Sequence, residues 1–144
     1  MLKRIEEETH MTDRAHGSFK VTLIPQPYED MPAEAMMGRM SIDKHFSGDL
    51  EGTSKGQMLT AGSIVKGSAG YVAIERFTGN LRDRSGTFVL QHSATMIRGA
   101  PQMSVTVVPD SGTGQLTGIS GSMTIIITGA HHSYAFEYAL EEST

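Results

Sequence analysis

Glu75 and His92 are the two residues whose types and spacing point most directly to chemistry. They lie within residues 71–96, "YVAIERFTGNLRDRSGTFVLQHSATM", where apolar and polar residues alternate on both sides of a polar turn. This alternation predicts a β-hairpin with one apolar face. With a two-residue turn centred on Asp83 and Arg84, Glu75 falls directly opposite His92 on that face, with Cβ atoms about 5 Å apart.

An acid and an imidazole that face each other in apolar surroundings allow two interpretations. In the first, Glu75 and His92 satisfy each other's hydrogen bonds inside the core. In the second, they act as general acid and base, or as the polar anchor of a ligand cavity, because groups with perturbed pKa values cluster in such pockets. The sequence leaves both interpretations open.

Large apolar and aromatic residues on the same predicted faces are candidates for the wall of a cavity. The hairpin register places Phe88 across from Gly79, where a large ring can cover a position without a side chain. The last strand, "HHSYAFEYAL", turns Tyr134 and Tyr138 inward, and their hydroxyls need partners when buried. Two roles fit these tyrosines. They pack in the core, or their hydroxyls contact the acid–imidazole pair or a ligand. The candidate ligand-binding residues are therefore Phe77, Phe88, Leu90, Tyr134 and Tyr138.

Two patterns that can signal a bound metal or nucleotide receive little support. His131 and His132 are adjacent, so a regular strand turns them to opposite faces, and the sequence contains neither cysteine nor an H-E-x-x-H motif. Residues 109–121 have the spacing G-x-G-x-x-x-G, but no helix follows to bind a phosphate, and a hairpin with a bulge fits better. No metal site and no cofactor are predicted.

Eight candidate β-strands position these residues. From Gly17 onward, glycines punctuate segments rich in Thr, Ser, Val and Ile, and no window of about a dozen residues sustains a helical period. The chain is therefore predicted to be all-β, an eight-stranded antiparallel up-and-down β-barrel of lipocalin-like shape, because closure removes exposed sheet edges. Such a barrel is filled by side chains or holds one small ligand. The predicted strands are 17–24, 38–46, 49–60, 69–78, 86–97, 102–108, 115–128 and 131–140.

The rest of the chain is predicted to be an extension and connections. Residues 1–15 are charged and are expected to form one helical turn or to remain disordered, whereas residues 16–144 form a single barrel domain. The Pro-rich segment 25–38 is the one loop expected to contain a helical turn, and it would serve as a lid or simply as a crossover.

A second hairpin is predicted between the second and third strands. A turn at Ser47 and Gly48 would place Lys44 opposite Glu51. We interpret these two residues as an ordinary ion pair on the protein surface.

Composition limits the partners and the location of the protein. The chain has 144 residues, about one domain, with no cysteine, ten methionines and a formal charge of −4. Acids and bases are interspersed, so no basic stripe predicts a nucleic acid or membrane partner. No apolar run approaches the ~20 residues of a membrane span, and no secretory signal is visible. A cytoplasmic protein is expected.

Several unusual blocks carry a family resemblance. The blocks "DKHFSGDLEGTSKGQML", "GYVAIERFTGNL", "FVLQHSATM" and "VVPDSGTGQLTGISGSMTI" occur in this order, and over about residues 17–140 the chain resembles the uncharacterised bacterial family DUF3224. The block "SGTGQLTGISG" is similar to the glycine-rich hairpin of plant allene oxide cyclases and dirigent proteins. That likeness implies an allene oxide cyclase-like barrel and a homo-oligomer, but no active-site residue is carried over from those families.

Three functions are compatible with this reading. The chain would bind a small, partly apolar or amphipathic molecule in the barrel, with Glu75 and His92 as the polar anchor. Alternatively it would be an isomerase or cyclase in which one of these residues moves a proton. A filled barrel that works only as an oligomeric interaction module is the third hypothesis. The first two require a cavity of several hundred Å³ beside the pair.

Overall fold

The computed structural model describes residues 12–140, which form a closed barrel of eight antiparallel strands. Each strand pairs with its neighbours in the sequence, and β8 pairs with β1 to close the barrel. The all-β, eight-stranded antiparallel barrel that the sequence predicts is therefore confirmed. The strands are β1 (Asp13–Gln26), β2 (Met37–Gly48), β3 (Leu50–Ala61), β4 (Ala69–Leu81), β5 (Arg84–Ile97), β6 (Ala100–Val107), β7 (Ser120–Thr128) and β8 (His131–Ala139).

The first strand begins earlier than the sequence indicates. It starts at Asp13, and Ala15 is completely buried, so residues 13–15 belong to the barrel and not to the predicted extension. Residues 1–11 of that extension lie outside the described residues. The helical turn expected within residues 25–38 is present as a single 3₁₀ turn at Ala33–Ala35. No helix in residues 12–140 is long and apolar enough to cross a membrane.

The glycine-rich connection between β6 and β7 differs from the prediction. Its 3₁₀ turn, Gly114–Leu116, lies where a strand from residue 115 was expected, and β7 begins only at Ser120. Gly114 and Gly118 have positive φ angles of +62° and +87°, which a pairing strand does not adopt. The connection instead folds across one end of the barrel and buries Leu116 and Ile119 there.

The hairpin of β4 and β5 turns one residue earlier than predicted. The turn residues are 82–83 rather than 83–84, and the first of them has a φ of +56°. Phe88 consequently pairs with Phe77 and not with Gly79. The register is shifted by two residues, and since side chains alternate with a period of two, every predicted face is retained.

The barrel interior divides into two parts, which we call the filled half and the open half. The filled half lies at the end closed by Leu116 and Ile119, and its aromatic rings have centroids 5.1–5.7 Å apart. The open half lies at the opposite end, beside the β1–β2 and β3–β4 connections, and is lined mainly by aliphatic and methionine side chains. The aromatic side chains of the filled half are Phe46, Phe77, Phe88, Tyr134, Phe136 and Tyr138.

Candidate functional site

A cluster of four buried polar side chains lies between the two halves. The carboxylate of Glu75, which is completely buried, accepts hydrogen bonds from the ammonium of Lys44 (2.8 Å) and the hydroxyl of Ser54 (2.5 Å). Nε2 of His92 lies 2.5 Å from the same oxygen that Lys44 contacts. Lys44 and His92 are themselves only 6% and 3% exposed. These four residues, which we call the polar cluster, unite strands β2 to β5.

The backbone around Glu75 makes room for this arrangement. Glu75 pairs with Gly56 on β3, and a Cβ atom at that glycine would lie 2.0 Å from the carbonyl oxygen of Ile74 and 2.8 Å from the Glu75 Cβ. A glycine is therefore required here for β3 to approach β4. On the other side Glu75 pairs with Leu90, and His92 pairs with Ala73.

The predicted contact between Glu75 and His92 is present, although their predicted direct opposition is wrong. Because the hairpin turns one residue earlier, the two residues are diagonal neighbours on one face. Diagonal positions are still within reach of long side chains. The hydrogen bond therefore forms across the diagonal.

The charges of the polar cluster set the protonation of its acid. Burial by itself raises the pKa of the Glu75 carboxyl, but the His92 hydrogen bond and the positive charge of Lys44 outweigh burial and bring it from 4.5 down to about 2. Glu75 is accordingly a carboxylate at neutral pH. A carboxylate can only accept hydrogen bonds, so Nε2 of His92 carries a hydrogen and donates it.

Sequence reasoning missed two members of the polar cluster, since it did not single out Ser54 and it placed Lys44 on the surface. The predicted surface pair with Glu51 is wrong, because β2 and β3 pair Lys44 with Ser54, which turns the lysine into the barrel. The signal was present in the sequence, since Lys44 alternates with Ile42 and Phe46 on an otherwise apolar strand face. Inside, the ammonium lies 4.6 Å above the ring of Phe19, a favourable cation–π contact.

The two ring nitrogens of His92 differ in their contacts. With Nε2 bound to Glu75, Nδ1 is buried without a hydrogen bond to any of residues 12–140. In the neutral ring this nitrogen is an acceptor, and in the protonated ring it is a donor. A buried polar atom of this kind is costly unless something satisfies it, which marks the position as a candidate ligand contact.

A cavity of about 110 Å³ lies above the polar cluster in the open half. His92 and Lys44 line it, whereas Glu75 lies beneath them and does not. A recess of about 390 Å³ at the barrel mouth adjoins the cavity and shares Tyr71 and Met103 with it. The barrel is therefore not packed solid, although the space beside the pair reaches the several hundred Å³ that the binding hypotheses require only when the adjoining recess is included. The apolar lining of the cavity includes Phe19, Val21, Leu23, Ile42, Met58, Ala73, Ile125 and Ile127.

The five residues predicted to form a ligand wall do not line this cavity. Tyr134 lies in the filled half, where its hydroxyl accepts from the Leu50 amide (2.9 Å) and donates to the Ser47 carbonyl (3.1 Å). Burial raises the pKa of Tyr134 to about 12. Tyr138 lies farther from the open half than Tyr134 and accepts a hydrogen bond from Arg82. The prediction assigned the correct face but the wrong end of the barrel to Phe77, Phe88, Leu90, Tyr134 and Tyr138.

The site can offer hydrogen bonds in otherwise apolar surroundings. Lys44 has further N–H donors beyond the one that Glu75 accepts, and His92 offers Nδ1. Within residues 12–140 no three His, Asp or Glu side chains are grouped as a metal ion would need. The arrangement suits a molecule with one polar end and an apolar remainder.

These features define a small antiparallel β-barrel with a polar cluster beneath an end cavity. A family model described as "Protein of unknown function (DUF3224)" matches residues 15–138, so the chain belongs to the DUF3224 family. A solved structure of a DUF3224 protein of unknown function from Shewanella oneidensis is 43% identical in sequence, with a TM-score of 0.87. The similarity covers 92% of this chain and all of that one. No curated protein matches the chain.

Proposed function

We propose that this barrel binds a small, partly apolar molecule in the cavity of its open half. The observation that supports the proposal most strongly is the lining of the cavity, in which Lys44, His92 and also His132 of β8 lie among mainly aliphatic and methionine side chains. Ligand sites combine these features, a mostly apolar lining and a few convergent polar groups.

The polar floor of the cavity, formed by Lys44 and His92, favours a ligand with a hydrogen-bond acceptor at one end. The charges of Lys44 and Glu75 cancel, so the polar cluster is neutral while the His92 ring is neutral. Free N–H groups of Lys44 then suit a carbonyl or hydroxyl oxygen. A hydroxyl could also donate to Nδ1 of His92 and satisfy that nitrogen.

Filling the cavity tests the proposal. Ala73 faces the cavity and is 4% exposed, so Ala73→Leu would occupy ligand space, whereas Val72→Leu adds bulk to its outward-facing neighbour. We expect Ala73→Leu to weaken binding of the apolar dye 1-anilinonaphthalene-8-sulfonate at least tenfold and Val72→Leu to change it less than twofold. Fluorescence titration of the two folded variants measures both. Equal affinities would contradict the proposal.

Native mass spectrometry of the freshly purified chain is the complementary experiment. A molecule bound in the cavity would appear as an added mass that Ala73→Leu loses and Val72→Leu retains. An added mass that both variants retain would place the molecule elsewhere on the protein.

A second candidate function is proton transfer, as in an isomerase or cyclase. It is favoured by one observation, the His92 ring held at Nε2 by a carboxylate while Nδ1 is unpartnered. A carboxylate that orients an imidazole is a common general-base arrangement. Glu75 itself suits this role poorly, because its pKa of about 2 makes it a weak base and it does not line the cavity. His92 would thus be the catalytic group and Glu75 a positioning residue.

The tautomer of His92 tests this second candidate without a substrate. Imidazole ¹⁵N shifts of the wild-type chain should show the hydrogen on Nε2. Glu75→Leu should remove this preference, because no acceptor then selects the tautomer. A wild-type ring protonated on Nδ1 would contradict a base at that nitrogen.

The resemblance to allene oxide cyclases and dirigent proteins supports the proposal that the chain forms a homo-oligomer. We also propose that it functions in the cytoplasm, because a chain without cysteine suits a reducing compartment. Light scattering of the purified chain measures the oligomeric state. A measured mass equal to that of one chain would contradict the homo-oligomer. Fractionation of the native cells tests the cytoplasmic location, and recovery outside the cytoplasmic fraction would overturn it.

A further inference from the structure

The barrel wall has one weak line, between β6 and β7. These two strands pair only where Thr106 lies opposite Ser122. In contrast, the β5–β6 ladder is continuous from Leu90 to Ile97, and the β7–β8 ladder covers all of β7. Toward the mouth of the open half β6 and β7 therefore separate, and we call the gap between them the seam.

The seam contains a crevice that adjoins the cavity. The crevice has a volume of about 370 Å³ and is lined from both strands. It shares Met103, Ile125 and Ile127 with the cavity above the polar cluster. The crevice therefore borders the cavity on the side of the barrel where β6 and β7 separate. The remaining lining residues of the crevice are Pro101, Gln102, Met123 and Thr124.

The lining of the seam is mainly apolar, with Gln102 and Thr124 as its polar members, although it is open to solvent. Met103 is 42% exposed and Ile127 is 59% exposed, and both belong to the cavity as well. Apolar side chains that face inward yet remain in contact with water gain free energy when an apolar group covers them. The adjoining cavity and its polar floor indicate the chemical class of the molecule to which this apolar group would belong.

We propose that the seam is the entrance of the cavity and the second part of the binding site. This inference rests on the proposed function. The ligand class is an elongated amphiphile, whose hydrogen-bond-accepting end reaches Lys44 and His92 while its apolar end lies between β6 and β7. The lining agrees with this orientation, since the ammonium of Lys44 lies at the floor and the three residues shared by the cavity and the crevice, Met103, Ile125 and Ile127, are apolar.

The seam also offers the least costly route through the wall. Separating any other pair of neighbouring strands by the width of a ligand breaks several ladder hydrogen bonds. Between β6 and β7 the wall widens at the mouth without such losses, because only Thr106 and Ser122 pair. Access through the side therefore requires little local unfolding.

Cross-linking the seam tests the entrance without any ligand. Ser104→Cys with Thr124→Cys places two outward-facing thiols on opposite sides of the seam, at positions that continue the register of Thr106 and Ser122. A short bis-methanethiosulfonate reagent then bridges the strands whether or not they lie at disulfide distance, and a thiol reductant reverses the bridge. The chain contains no other cysteine to interfere.

The reporter is an indole at the floor of the cavity. The chain has no tryptophan, and Phe19→Trp would place one where the ring contacts Lys44 and lines the cavity. We expect the bridge to reduce the rate of acrylamide quenching at least fivefold and reduction of the bridge to restore it.

The matched control cross-links a wall that is already paired. Ser93 lies directly opposite Ser104 on β5 and β6, and both are exposed. The same reagent applied to Ser93→Cys with Ser104→Cys should leave quenching of the position-19 indole within about 1.5-fold. Quenching that is unchanged by the seam bridge, or slowed equally by the control bridge, would overturn the side entrance.

A series of straight-chain alcohols from butan-1-ol to decan-1-ol tests the ligand class with the same indole. With the seam open, each added CH₂ should raise the affinity about fourfold along the series. With the seam bridged, the gain should stop at a shorter chain, because the apolar end has no further space. Identical length dependence in both states would contradict the extended site. Absence of any alcohol binding would count against the proposed function while the quenching result still decides the entrance.

Discussion

The filled and open halves of the barrel are built from the same inward-facing strand positions but reach opposite outcomes. In the filled half Phe77, Phe88 and Phe136 are fully buried, and the ring centroid of Phe88 lies 5.1 Å from that of Phe77 and 5.7 Å from that of Phe136. In the open half the corresponding inward positions carry smaller or more flexible residues such as Ala73 and Met58, and space remains. Side-chain size thus determines which end of this barrel keeps an empty space.

The polar cluster lies where these two regions meet. Stability by itself does not explain it, because a buried ion pair is often no better than a well-packed apolar pair. The ion pair with Glu75 instead holds Lys44 in place at the floor of the cavity. The comparison teaches that the filled half supports the structure, whereas the open half contains the features on which the proposed binding rests.

The largest expected difference in the free energy of unfolding is between two leucine-to-alanine substitutions, one in each half. Leu90 is completely buried in the filled half, whereas Leu23 lines the cavity and is 40% exposed. Leu90→Ala should lower the free energy of unfolding by about 3–4 kcal/mol, and Leu23→Ala by less than about 1 kcal/mol. Urea unfolding with unchanged m-values measures both. Equal losses would remove the distinction between the halves.

Removing the negative charge from the polar cluster should lower the free energy of unfolding nearly as much. Glu75→Gln leaves the buried Lys44 ammonium without its counter-ion, and we expect a loss of about 3 kcal/mol in the free energy of unfolding. Adding Lys44→Met should restore most of that loss, because no uncompensated charge remains. Urea unfolding of the single and double variants tests this coupling, and a double variant no more stable than Glu75→Gln would refute it.

The pH dependence of the free energy of unfolding should reveal the lowered pKa of the Glu75 carboxyl. Its pKa of about 2 in the folded protein is lower than its ordinary value of 4.5, so its contribution is complete above pH 4.5 and is lost as the pH falls toward 2. The difference corresponds to about 3 kcal/mol at most. Unfolding measured from pH 6 to 2 should decline less steeply for Glu75→Gln than for the wild type. Parallel curves would show that Glu75 has an ordinary pKa in the folded protein.

The smallest expected difference compares a tyrosine from each half. Tyr134→Phe in the filled half leaves the buried Leu50 amide unpaired and should cost about 1–2 kcal/mol. The hydroxyl of Tyr71 in the open half has no hydrogen bond to any of residues 12–140, so Tyr71→Phe should change stability by less than about 0.5 kcal/mol. Thermal unfolding measures both, and a larger loss from Tyr71→Phe would indicate an additional role for that hydroxyl.

Much of the candidate site could be predicted because local patterns specify faces. Alternation in β4 and β5 correctly turned Glu75 and His92 inward, and a register error of two residues did not change the face. Lys44 was missed because a turn placed incorrectly by an odd number of positions moves a residue to the other face. The wall residues were assigned to the wrong end because alternation carries no information about depth along the barrel.

The sequence by itself determined the strand count, the antiparallel order and the inward faces, because these follow from period-two alternation and from glycines at the turns. Only the tertiary structure decided that Lys44 and Ser54 meet Glu75, since three separate strands must close around one position. It also decided that β6 and β7 separate and that the cavity lies at one end. Empty volume depends on how all eight strands pack together, and no single segment of the sequence specifies it.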